Sequence, residues 1–161
     1  MNQTEIAEIL AKPYAQDLLN GSEPARLAYD GLDGDPRVIP IGFWMEGEKL
    51  VMATVPKAAK VAALRRNPKV ALTIDTGAFP PKVLLLRGVT EVELIQGIPE
   101  GYLVAGRKVM TEEQYGGWLE GVKALYDEMV VLTVTLTWAK LLDFETTIPK
   151  AVEDLIATKQ G

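Results

Sequence analysis

Along the chain the spacing of apolar positions changes several times, and each change marks an element. Over "TEIAEILAKPYAQDLL" (4–19) apolar residues recur every three to four positions, which predicts an amphipathic helix opened by Thr4 and kinked or broken at Pro13. From "ARLAYDG" (25–31) the period falls to two. Strands are predicted there, over "PRVIPIGFWME" (36–46) and over "KLVMATV" (49–55), with "LDGD" and "EGEK" as turns. A helix over 56–67 interrupts this meander, stopped by Asn67-Pro68. Strands return at "KVALTID" (69–75) and, after the loop "TGAFPPK", at 82–95, where Gly88 is the expected bulge or bend. Residues 99–127 read as helical in two pieces, the second opened at Thr111. Gly116, Gly117 and Gly121 count against that second piece. In "MVVLTVTLTWAKLLDFE" (129–145) Thr133, Thr135 and Thr137 alternate with Leu132, Val134, Leu136 and Trp138, as in a half-buried strand. A short helix over 148–157 closes the chain.

These elements predict a single mainly β domain over 1–161 with inserted helices. The fold expected is a six-stranded antiparallel barrel, with a helix at 4–19, the barrel over 25–145 and a helical insertion at 99–127. Closure would remove exposed strand edges. The run 36–46 is unusual because both of its faces are apolar. One carries Val38, Pro40, Gly42 and Trp44; the other carries Arg37, Ile39, Ile41, Phe43 and Met45. One face can pack the barrel. The other needs a cover, whether a helix, a partner subunit or a flat apolar ligand.

Composition removes several chemistries. The 161 residues suit one domain, with 48% hydrophobic and 24% charged residues. No apolar run is long enough to span a bilayer, and "MNQTEIAEIL" has no basic segment followed by an apolar one, so a cytoplasmic protein is expected. Cysteine and histidine are both absent. That excludes the common zinc sites, Ser-His-Asp and Cys-His nucleophiles, and haem held by protein histidine or cysteine. Any redox chemistry would then fall to an organic cofactor.

The net charge of −5 argues against generic nucleic-acid binding. The charge is uneven, however. Between Lys49 and Arg87 stand Lys49, Lys57, Lys60, Arg65, Arg66, Lys69, Lys82 and Arg87, against the single acid Asp75. A small anionic ligand suits such a region better than a long polyanion, and 57–69 contains no aromatic residue for stacking bases. The start of the helix at 56 sharpens the point. Pro56 suits the first helical position, but Val55 is a poor cap, and Lys57 and Lys60 meet the positive end of the helix dipole. The conflict amounts to about 2 kcal/mol. Water can satisfy such an end with both lysines solvated; a bound anion would reverse every unfavourable contribution.

The stretch "RLAYDGLDGDPRVIPIGFWMEGEKLVMATVPKAAKVAALRRNPKVALTID", followed by "PPKVLLLRGVTEVE", resembles the pyridoxamine 5′-phosphate oxidase-like FMN-binding split-barrel family. The shared order is a strand, a D-G-x-P turn, two strands with the second ending A-T, a lysine-bearing helix, an N-P-x-V strand and an R-G strand. "LLDFETTIP" is a weaker echo. The resemblance implies a homodimer with a flavin (FMN) or a deazaflavin (coenzyme F-420) between subunits. It carries the phosphate to Ala53, Thr54, Lys57 and Lys60, and the ring to Ile39, Pro40, Ile41 and Gly42. Arg87, in the R-G strand, approaches the cofactor or merely covers the barrel. Trp138 and the "DFETTIP" tail would come from the partner. Trp44 and Trp118, like Trp138, are otherwise expected in the core or an interface.

The implied function is hydride transfer between bound FMN and a small organic substrate. A deazaflavin-dependent reductase and a non-catalytic flavin-binding dimer are the alternatives. The chain is shorter than the biosynthetic oxidase and lacks a match to its substrate-phosphate residues, which argues against pyridoxamine phosphate as substrate.

Overall fold

A computed structural model describes residues 1–160. The elements in order are α1 (Gln3–Leu10), α2 (Pro13–Asn20), β1 (Ala25–Asp30), β2 (Pro36–Ile41), β3 (Trp44–Glu46), β4 (Lys49–Thr54) and α3 (Ala59–Arg66). There follow β5 (Lys69–Asp75), β6 (Val83–Gln96), α4 (Glu100–Arg107), α5 (Glu112–Leu125), β7 (Glu128–Leu142) and α6 (Lys150–Gln160). Among the described residues no helix is long and apolar enough to cross a membrane.

All strand pairs are antiparallel, in the order β2-β1-β5-β6-β7-β4-β3. The sheet therefore has seven strands rather than six, and its hydrogen-bonded ladder is open rather than closed. The reason is local. The run 36–46 alternates as expected, with Ile39, Ile41, Phe43 and Met45 turned to the core. It changes partners midway, however, pairing with β1 as far as Ile41 and with β4 only from Trp44. β2 and β3 are thus the two ends of one sheet, joined by Gly42 and Phe43. Three Cα–Cα steps span at most about 11 Å. The sheet must curl until its ends nearly meet, leaving a split between β2 and the end of β4.

Inside the curl Leu27, Leu50, Met52, Leu72, Ile74, Leu84, Leu86, Leu132 and Leu136 are buried, with Ile6 and Leu18 from α1 and α2 and Leu64 from α3 plugging it. The predicted helix 4–19 is two helices, because Pro13 opens α2 at its first position. Asn2, not Thr4, caps α1, in a reciprocal box with Glu5. α5 forms despite its glycines. Thr111 and Gln114 make a second capping box, Tyr115 and Val122 are buried, and the three glycines face open space.

At Gly88 the register slips: Arg87 pairs with Trp138 but Gly88 with Leu136, so the extra residue is Thr137 on β7. A Cβ on Gly88 would stand 2.5 Å from Val134 Cγ1 and 2.6 Å from the Thr135 carbonyl oxygen. The bulge belongs to β7, and Gly88 is the residue that lets β7 come close.

Candidate cofactor site

The predicted phosphate residues sit where β4 ends. The helix expected over 56–67 starts only at Ala59. The Ala58 N–H donates to the Val55 carbonyl at 3.1 Å, closing a β-turn with Pro56 at its second position, a place that proline's fixed φ favours. Ala58 is then extended and becomes the N-cap, with no side chain to bond the first helical N–H groups. Valine is replaced by an equally poor cap. The first turn holds Lys60 and no acidic residue.

Lys60 is half-buried. Its Nζ donates to Thr54 Oγ1 at 3.3 Å, and among the described residues it pairs with no carboxylate. Burial pushes the Lys60 ammonium below its ordinary pKa. One ammonium, one hydroxyl and the open end of a helix therefore converge at the end of β4, without a counter-ion. That donor set fits a phosphate group. Lys57 is different. It is exposed, precedes the helix and lines a broad shallow groove with Tyr126, Asp127 and Glu128, whose carboxylates oppose an anion.

The residues predicted for the ring side lie at the end of β2 and just after it. Were β3–β4 pairing continued past Trp44 and Val51, Gly42 would oppose Ala53 and Pro40 would oppose Val55. Instead the strand departs toward β1. Gly42 and Pro40 are exposed, while Ile39 and Ile41 turn half-buried toward the barrel. Ala53 is buried, packed with Trp44, Val51 and Met129. Residues 39–42 thus pair with β1 or link the two strands, and none of them pairs with Ala53 or Thr54.

Arg87 does not join them. Thr54 pairs with Val130, and Val130 with Leu94 on β6, seven residues from Arg87. At the usual strand rise and spacing this is about 25 Å along the sheet. The Arg87 guanidinium instead lies over the Trp138 ring at 4.3 Å. It occupies a row on the outer face, Trp138–Arg87–Ala71–Ala28–Val38, that runs unbroken across five strands. Beside it runs Lys140–Leu85–Thr73–Arg26–Pro40. Arg87, Ala71, Arg26 and Pro40 in these rows are exposed, and Val38 is 66% exposed.

Two further features shape the surroundings of the sheet. The α4–α5 hairpin packs on β3 and β4 because Gly101 has no side chain: a Cβ there would overlap the Trp44 indole. The tail after β7 is organised by Asp143, which accepts from the backbone N–H groups of Glu145, Thr146 and Thr147 and from both threonine hydroxyls. These bonds hold its carboxyl well below the usual carboxylate range. Thr146 and Thr147 at three and four residues after an aspartate are a legible turn signal; the pairing of Gly101 with Trp44 is long-range and is not.

Residues 11–143 match the sequence model of the pyridoxamine 5′-phosphate oxidase family. The chain belongs to this family. No curated protein matches the sequence. Among solved structures, an F420 reductase superposes with a TM-score of 0.60 at 27% identity, over 78% of this chain and 94% of that one. A conserved hypothetical protein from Mycobacterium tuberculosis gives 0.59 at 18% identity, over 94% of each chain. The haem storage protein HutZ from Vibrio cholerae gives 0.58 at 18%, over 81% of this chain and 93% of that one. The last two likenesses concern fold. The family supports a flavin- or deazaflavin-type oxidoreductase class, and this member has neither histidine nor cysteine to ligate a haem iron.

Proposed function

We propose that the protein is an oxidoreductase that binds FMN and passes hydride between it and a small organic substrate. The observation that carries this reading is the Thr54–Lys60 pair at the uncapped start of α3. When bound, the isoalloxazine ring supplies the hydride chemistry. The chain's residues bind the cofactor. Lys60 and the free N–H groups of α3 neutralise the phosphate, and Thr54 adds a hydroxyl. Backbone groups at 39–42 would hold the polar edge of the ring. The exposed residues of the outer-face rows support a homodimer, in which a second copy would cover Val38, Ala28, Ala71 and Trp138 and bring Arg87 toward the partner's cofactor.

The test is a flavin titration followed by fluorescence quenching. One FMN per chain is expected. Lys60→Gln removes a charge-assisted contact of about 1.5–3 kcal/mol, raising Kd by roughly 10- to 150-fold, whereas Lys57→Gln raises it less than about threefold. An unaltered Kd in Lys60→Gln refutes the phosphate assignment. The 27% identity to an F420 reductase favours a second reading, a deazaflavin-dependent reductase of the same fold. Titration with deazaflavin in place of FMN decides between them, and binding of neither ends the redox reading.

A further inference from the structure

Beside the split lies a cleft of about 500 Å³ that neither the family nor the phosphate assignment explains. Its floor is Gly42 and Phe43, where the strand changes partners; its roof is the α4–α5 hairpin, with Tyr102, Met110 and Trp118 facing in. The roof is a built surface. Gly106 lets the indole of Trp118 lie on α4, since a Cβ there would stand 2.5 Å from the ring, and Trp118 packs between Tyr102 and Tyr115 at centroid distances of 5.5 and 5.6 Å. One cation lines this aromatic cleft. Lys108 sits half-buried at the C-terminal end of α4, where the helix dipole favours its charge. Its Nζ donates to the Leu19 carbonyl oxygen at 3.3 Å and lies 5.6 Å from the Phe43 ring centroid. Among the described residues no carboxylate pairs with it; Glu23 lines the same cleft, exposed and unbonded to it. Two of the three ammonium donors are therefore free. Burial lowers the Lys108 pKa, the direction expected of a desolvated ammonium that lacks a counter-ion.

We propose that this cleft binds a flat aromatic carboxylate, its ring over Gly42 against the Tyr102–Trp118 wall and its carboxylate on Lys108 Nζ. Gly42, one of the residues predicted for the ring side of the cofactor, lines the cleft. If the redox reading above holds, this ligand is the small organic substrate, and Lys108 selects its acid group.

The experiment is calorimetric titration of the full-length protein with 2-naphthoate and with its uncharged analogue 2-naphthalenemethanol. One naphthoate per chain is expected. K108M should weaken naphthoate at least tenfold while moving the alcohol less than twofold. Ala105→Trp, which fills the cleft, should abolish both, with circular dichroism confirming that each variant is folded. Naphthoate binding that is indifferent to K108M, or absent from the folded wild-type protein, overturns the proposal. FMN titration of K108M keeps the two readings apart: its FMN affinity is expected unchanged, and failure of FMN to bind at all would sink the cofactor reading while leaving the naphthoate result to stand.

Discussion

The outer face of the sheet carries apolar residues at both ends, yet the two ends have opposite fates. Around β3 and β4, Trp44, Val51, Ala53 and Met129 are buried beneath Ile98, Tyr102, Ala105 and Tyr126. Around β2, β1, β5 and β6, the same outer face carries Val38, Pro40, Ala28, Ala71 and Leu85 among Arg26, Thr73, Arg87 and Lys140, and Val38, Pro40 and Ala71 are exposed. One strand path, 36–46, contributes to both. The insertion between β6 and β7 is long enough to roof only the β3–β4 end. Exposed apolar residues set among cations suit a surface completed by something else, and the Ala28–Ala71 pair at its centre suits close approach of a second copy.

The same substitution at both ends gives the sharpest contrast. Trp44→Ala should remove about 3–5 kcal/mol, dropping Tm by roughly 6–20 °C in thermal unfolding. Trp138→Ala, on the half-exposed end, should cost the isolated chain less than about 1 kcal/mol and act mainly on self-association. Equal losses at both sites would dissolve the distinction. Next in size is Gly101→Ala, which forces α4 away from Trp44 and should cost about 1–3 kcal/mol. Gly117→Ala, in open space on α5, should instead stabilise by about 0.5–1 kcal/mol. Opposite signs for two glycines of one hairpin would show that contact with the sheet, not helix propensity, sets the covered end.

At the exposed end, Ala71→Glu should leave the unfolding of a dilute monomer within about 0.5 kcal/mol of wild type. Sedimentation at higher concentration should show the dimer lost. A wild-type protein that stays monomeric throughout would remove the second copy from the picture. The smallest effect concerns pH. Because the folded pKa of Asp143 is depressed, its contribution is fully present above the unfolded value of about 4 and is lost as pH falls through the lower folded value. Acid titration should therefore loosen the 143–147 tail only well below pH 4, and Asp143→Asn should flatten that part of the profile.

Much of the chain was legible residue by residue. β5 matches its predicted range, Pro13 marks a helix start, and Thr111 caps α5, because each depends on neighbours within one turn or on a period of two. The errors share one cause. The strand 36–46 was predicted whole because its alternation is whole; only its partners change at Gly42. The helix at 56 starts three residues late because the Val55–Ala58 turn competes for Pro56. In the candidate site, the family resemblance implies Thr54, and the position of Lys60 in the first turn of a poorly capped helix adds a local reason for that lysine. Lys57 is the weaker of the two lysines on sequence alone, and the groove it shares with Asp127 and Glu128 weakens it further, which sequence does not report. Lys108 and Tyr102 carry no sequence signal for the cleft, and Trp118 reads only as a core or interface aromatic, since the cleft is assembled from segments far apart in the chain.

Local sequence thus determined the elements, the absence of histidine and cysteine chemistry and the basic character of the segment around α3, because composition, period and capping act over a few residues. The tertiary structure alone decided that one strand would serve both ends of the sheet. It also decided that Lys60 would meet Thr54 without a carboxylate, and that apolar residues at one end of the outer face would stay exposed. Those outcomes depend on which strands pair and which helix reaches which face, and such pairings are set by packing between residues far apart in the chain.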